Sequence, residues 1–161
     1  MPSVHTRRQF LRMGLKDRST PLRPPWALNE ASFLDVCTRC GDCISQCPEH
    51  VLVPETAGGY PRIEFTRGEC TFCRSCVDAC PTPALNGTLV YPWMAKAHIG
   101  EKCLATQHVV CRTCGEQCEA GVIKFTPALG GVFLPSIDLD ACTGCGGCVA
   151  SCPTQAIEVR L

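Results

Sequence analysis

Aromatic residues are scarce in this chain of 161 residues: six Phe, two Trp and two Tyr. With the cysteines left out, the apolar fraction falls from 45% to roughly a third, thin for a domain that must bury an ordinary core. That shortage argues against a fold held by side-chain packing alone, and small domains in this position rely on disulfides or metal. No apolar run approaches the roughly 20 residues needed to span a bilayer. The longest, such as residues 128–134, are strand-sized, so the chain reads as soluble, with no transmembrane segment. The four histidines (His5, His50, His98, His108) are scattered, and no phosphate-binding glycine loop or Ser/His/Asp spacing appears. No catalytic residue is therefore expected, and the chain does not read as an enzyme.

Net charge is also lacking, but only on average. Residues 1–24 hold six basic side chains (Arg7, Arg8, Arg12, Lys16, Arg18, Arg23) against the single acid Asp17, and the rest hold nine basic and fourteen acidic ones. A tail of +5 thus precedes a body of −5. Four bound clusters of about −2 each, thiolates included, would take the body to about −13. Tail and body should attract, or each should find its own partner. Nucleic acid is not an expected partner, because the basic residues lack an aromatic platform and the body is acidic.

What the chain has in excess is cysteine, sixteen in all. They fall into four groups. Cys37, Cys40, Cys43 and Cys47 precede Pro48; Cys70, Cys73, Cys76 and Cys80 precede Pro81; Cys142, Cys145, Cys148 and Cys152 precede Pro153. Each of these reads C-x2-C-x2-C-x3-C-P, the bacterial ferredoxin run. The third group, Cys103, Cys111, Cys114 and Cys118, puts seven residues between its first two cysteines and has Glu119 in place of the proline. No cysteine is left over.

The spacing has a physical reason. A [4Fe–4S] cube offers four corners, one thiolate to each. Three cysteines in a tight loop wrap three corners, and the fourth reaches the neighbouring cube. The fourth cysteine is expected to start a short helix, with proline at a position needing no N–H. Disulfides fit poorly, since such dense groups would need several tight bridges each and no secretory signal precedes them. Zinc prefers two C-x2-C pairs or Cys/His mixtures. All sixteen cysteines are thus read as ligands of [4Fe–4S] clusters: four clusters, or three if the irregular third group holds none. His108 lies in that irregular loop and is read as an exposed histidine, not a ligand.

The gaps between groups are 22, 22 and 23 residues, which marks a repeat. In the first gap Val51, Leu52 and Val53, a turn at Gly58 and Gly59, then Arg62, Ile63, Glu64 and Phe65 read as a hairpin. In the last, Val122, Ile123, Lys124 and Phe125, a turn at Gly130 and Gly131, then Val132, Phe133 and Leu134 read as another. Residues 157–161 supply a closing strand. The middle gap, broken by Pro83, Asn86, Gly87, Pro92 and Trp93, reads as a linker. The expected fold is α+β and loop-rich: two tandem bacterial-ferredoxin-like modules of two clusters each, residues 28–92 and 93–161, behind a flexible basic arm of residues 1–27. In the tandem arrangement Cys37, Cys40, Cys43 and Cys80 share one cube, and Cys70, Cys73, Cys76 and Cys47 the next. Cys103, Cys111, Cys114 and Cys152 share a third, and Cys142, Cys145, Cys148 and Cys118 the last. Similar gap lengths leave open a nested alternative that pairs group one with four and two with three.

In the arm, Thr6, Arg7, Arg8, Gln9, Phe10, Leu11 and Arg12 look like a twin-arginine export signal. Lys16, Asp17 and Arg18 follow at once, leaving no apolar h-region and no cleavage site. The arm is therefore expected to be retained and the protein cytoplasmic. The arm reads either as a short basic helix or as a mimic of an export signal offered to a partner that handles such signals. Arg23, Pro24, Pro25 and Trp26 should be extended and stiff, with Trp26 anchoring them to the first module.

The layout closely resembles the NapF family, ferredoxin-type accessory proteins of the bacterial periplasmic nitrate reductase system. The likeness rests on the twin arginine, on Arg23–Pro24–Pro25–Trp26, on Cys37–Thr38–Arg39–Cys40, and above all on the odd third group. It implies a cytoplasmic protein that binds the precursor of the catalytic subunit and assists its maturation before export. That subunit would itself carry a [4Fe–4S] cluster and a molybdenum cofactor. The competing functions are an electron-transfer polyferredoxin or subunit of a redox complex, and a zinc-stabilised interaction protein.

Overall fold

The computed structural model describes residues 21–56 and 59–161. The arm upstream of residue 21, with its twin arginine and its expected helix, lies outside the described residues, as does the turn at Gly58. The first element is a helix, α1 (Glu30–Val36). Asn29 caps it by accepting from the Ser32 N–H, and Glu30 stands in its first turn, where the helix dipole favours an acid. Phe33 is its fully buried anchor. The helix stops at Cys37, whose N–H still bonds to Phe33 while its backbone turns extended. The first cysteine loop is thereby fixed to the core at its entry.

Each cysteine group then contains one four-residue helix: α2 (Asp42–Ser45), α3 (Ser75–Asp78), α4 (Thr113–Glu116) and α5 (Gly147–Ala150). Each carries the third cysteine of its group on its buried side, as Cys43, Cys76, Cys114 and Cys148. The fourth cysteine follows this helix and does not start one, which corrects the expectation above. In three groups the proline after it fits this, since the residue before proline avoids helical backbone, but α4 stops in the same place before Cys118 with Glu119 following. Turns follow Cys47, Cys80 and Cys152.

Three two-stranded antiparallel sheets complete the fold. The two expected hairpins are present. β1 (Leu52–Pro54) pairs with β2 (Pro61–Ile63), with Leu52 opposite Ile63. β4 (Ile123–Pro127) pairs with β5 (Phe133–Ile137), with Ile123 opposite Ile137. The middle gap is more than a linker: its second part forms β3 (Lys96–Ile99), which pairs with the closing strand β6 (Ile157–Arg160). Strands before group three and after group four are thus joined. Before group one and after group two, a single bridge between Ala27 and Leu85 does the same work.

Two apolar cores result. Phe33, Val51, Leu52, Ile63, Phe65, Ala84 and Leu85 fill the first; Ala97, Val122, Ile123 and Ile157 fill the second. Val149 and Val159 pack against both. Trp26 is buried and meets Phe72 edge-on, with ring centroids 6.4 Å apart and the Arg74 guanidinium over its face. The chain is α+β and loop-rich, and among the described residues no helix is long and apolar enough to cross a membrane.

Candidate metal centres

The curl that brings three cysteines of a group together is written in the backbone. In group one, Arg39 and Gly41 have φ of 59° and 86°; in group two, Phe72 and Arg74 have 53° and 69°; in group four, Gly144 and Gly146 have 72° and 87°. Left-handed residues at the same two positions of each run turn the loop around a common centre. Group three lacks this pair. A 3-10 turn, Ala105–Gln107, spans its long loop instead, with Ala105 buried and the Thr106 hydroxyl donating to the Cys103 carbonyl at 2.7 Å.

Four small cavities lie inside these loops. Cys37, Cys40, Cys43 and Cys80 line one. Cys47, Cys70, Cys73 and Cys76 line the second. Cys103, Cys111, Cys114 and Cys152 line the third, and Cys118, Cys142, Cys145 and Cys148 the fourth. Each cavity takes three cysteines from one group and the last cysteine of another. They are numbered sites one to four in that order. All sixteen cysteines are accounted for, and none is disulfide-bonded. His108 is exposed and is not among the residues lining site three.

The thiols of a set stand around a cavity and do not converge on a point. Among the described residues, no three His, Cys, Asp or Glu side chains gather closely enough to hold a single ion. Four cysteines ringed around one cavity suit a cube with four corners. Electrostatics agrees. Burial first, and then the neighbouring cysteines of the set, push the thiols of Cys43, Cys76 and Cys148 up to about 12. Cys70 and Cys114 rise to about 11, again chiefly by burial. Bare thiolates would repel one another in these cavities, and a cationic iron core removes that penalty by ligation.

Sequence reasoning missed a set of hydroxyls two residues after a cysteine. Ser75 Oγ lies 3.3 Å from Cys73 Sγ, and Thr82, Thr113 and Thr154 place Oγ1 3.7 Å from Cys80, Cys111 and Cys152. The Ser75 hydroxyl pulls the Cys73 thiol below its ordinary value. At Cys152 burial acts upward, but the Ala156 N–H, which donates to Sγ at 3.3 Å, and Thr154 bring the net shift down. Hydrogen bonds to ligand sulfur are one of the terms that set cluster potential. The repeated C-x-[ST] pattern was visible in the sequence.

Four cysteine-lined cavities built on ferredoxin runs define a ferredoxin-type iron–sulfur protein. The comparisons agree: a 4Fe-4S dicluster domain matches residues 36–85, and a 4Fe-4S binding domain matches residues 134–157. The chain is 41% identical over 155 residues to the ferredoxin-type protein NapF of Escherichia coli K12, covering 96% of this chain and 94% of that one. It is 43% identical over 164 residues to NapF of Haemophilus influenzae, covering 96% and 93%. A more distant relative is the methylamine utilization ferredoxin-type protein MauM of Methylorubrum extorquens, 31% identical over 171 residues, covering 94% of this chain and 77% of that one. The chain belongs to the NapF family of ferredoxin-type proteins, and its cofactors are [4Fe–4S] clusters.

Proposed function

We propose that this protein is a cytoplasmic maturation partner for the precursor of the catalytic subunit of periplasmic nitrate reductase, acting before that precursor is exported. Its four cubes are held one per site, with the ligand sets given above, in two tandem modules of residues 28–92 and 93–161. The basic arm of residues 1–27 is anchored by buried Arg23 and Trp26 and engages the precursor through the residues ahead of them. A bound cube takes up or gives one electron at a time. The chain's own residues place it: burial of the third cysteine in each group excludes water from one side, and exposed Cys40 and Cys73 leave the other side open to a partner.

The observation that carries this proposal is the set of four cysteine-lined cavities in a chain that aligns with NapF over 96% of its length. No catalytic role is assigned. The test is a pull-down with the precursor, with and without its signal peptide, together with nitrate reductase activity after deletion of this protein. Retention of the precursor and a fall in activity are expected. If the precursor is neither retained nor altered in activity, the maturation role is wrong. Replacing Arg7 and Arg8 with Ala is expected to weaken retention.

A second function, electron transfer within a redox complex, is favoured by the exposure of Cys40 and Cys73. It predicts reduction or oxidation of the clusters by a redox partner in the absence of any precursor.

A further inference from the structure

Group four differs from groups one and two in one respect that the cluster fold does not explain. Its loop reads Cys142–Thr143–Gly144–Cys145–Gly146–Gly147–Cys148, with glycine at three of the four places between cysteines. Backbone conformation does not demand them. Arg39, Phe72 and Arg74 hold the same left-handed φ at the matching positions of the other runs, and Gly147 has no such φ.

Close approach demands Gly144 and Gly146. A Cβ at Gly146 would overlap the ring of Phe65, and one at Gly147 would overlap the Glu69 carboxylate. A Cβ at Gly144 would overlap the Ala95 carbonyl. Gly41, which matches Gly146 in group one, has open space around it. Phe65 and Glu69 belong to the first half of the molecule. The main-chain N–H of Cys70, a site-two residue, donates to the carbonyl of Cys145, a site-four residue, at 2.8 Å. Beside this contact the Trp93 indole N–H donates to Thr143 at 2.9 Å, while its ring meets Phe72 and Phe65 edge-on at 5.6 and 6.3 Å. Helix α2 packs on α3 and α4 on α5, which joins site one to two and site three to four.

We propose that the Gly146–Gly147 stretch of group four is a docking face that seats the first half of the molecule on site four, so that electrons cross between the halves at the Cys70–Cys145 contact. The route then runs site one, two, four, three. It does not follow chain order, and it ends at the irregular third group. Each crossing is a one-electron exchange: the cube at one site is oxidised as its neighbour is reduced, with no bond made or broken and no co-reactant. Gly146 is a positioning residue in this scheme. The inference rests on the ligand sets proposed above.

The test uses anaerobically purified full-length protein, with iron and acid-labile sulfide per chain and EPR of the dithionite-reduced form. The wild type is expected to hold sixteen irons, one per cysteine, and to show spin–spin interaction linking the two halves. Gly146→Ala should keep its iron and lose that interaction. Gly131→Ala, also left-handed at its backbone but unobstructed and outside the cysteine loops, should lose nothing. Should Gly146→Ala shed iron, the double variant Gly146→Ala/Phe65→Ala decides: recovery of iron and interaction together supports docking, and recovery of iron alone overturns it. A wild-type spectrum fully described by two isolated pairs, or an unchanged interaction in iron-replete Gly146→Ala, also overturns it. A wild type short of sixteen irons would strike the ligand sets and not the docking face.

Discussion

The guanidinium of Arg23 grips the carboxylate of Glu30 at two points, Nε to Oε2 at 2.9 Å and Nη2 to Oε1 at 2.7 Å. The same group reaches Glu55 at 2.9 Å and the Pro61 carbonyl at 3.1 Å, and lies over the rings of Phe33 and Tyr60. Only 9% of Arg23 is exposed. It therefore ties the entry of the chain to α1 and to the first hairpin. Arg23→Ala should cost about 2 kcal/mol, the range for a charged hydrogen-bonding group removed from its partners. The check is the temperature at which anaerobic protein unfolds, expected to fall by about 4–8 °C for a chain of this size. Lys should restore only part, because it lacks the planar fork.

The same pair gives a pH dependence. The hydrogen bond from Arg23, opposed by partial burial, holds the Glu30 carboxyl below its ordinary value of 4.5. A depressed carboxylate contributes stability that is complete above its unfolded value and lost as pH falls through the lower folded one. The stability gap between wild type and Glu30→Gln should thus stay constant from neutral pH down to about 4.5 and then shrink. Denaturant unfolding at stepped pH measures it.

Loss of Cys103 or of Cys152 should remove the same cube, although 48 positions separate them. Cys103→Ala and Cys152→Ala are each expected to lower iron from sixteen per chain to about twelve and to alter the same EPR signal. Different signals in the two variants would favour the nested pairing.

Stripping iron with a chelator should abolish most of the circular dichroism, because the thin apolar cores then have nothing at the centres of the four cysteine-lined cavities. A stripped chain with native circular dichroism would contradict this.

Removing a hydroxyl beside a ligand sulfur should make that site harder to reduce, since the hydrogen bond disperses the extra charge. Ser75→Ala should lower the potential of site two and Thr154→Ala that of site three, with the other sites unmoved. Potentiometric EPR titration resolves them.

The cysteine runs and both hairpins were legible in the sequence because their signals are local: fixed spacings, and apolar triplets either side of paired glycines. β3 was not, because Lys96, Ala97, His98 and Ile99 are poor strand formers as a run, and only pairing with distant Ile157–Arg160 makes them one. Helix α1 carries an ordinary local signal, Asn29 as cap and Glu30 in the first turn, which the sequence reading did not use. The short helices lie ahead of the fourth cysteine and not after it, in group three without any proline, so the proline is not what positions them. Which half meets which glycine is a property of assembled surfaces that no single segment carries.

Trp26 is knotted at both of its peptide groups: its N–H donates to Pro92 at 2.6 Å, and its carbonyl accepts from Asn86 at 2.8 Å. The thread entering the body and the thread leaving its first half therefore run through one buckle. The residues just ahead of Trp26 thus join the body beside the segment that connects the halves. A partner that seizes that leading end holds a handle on how the two halves sit.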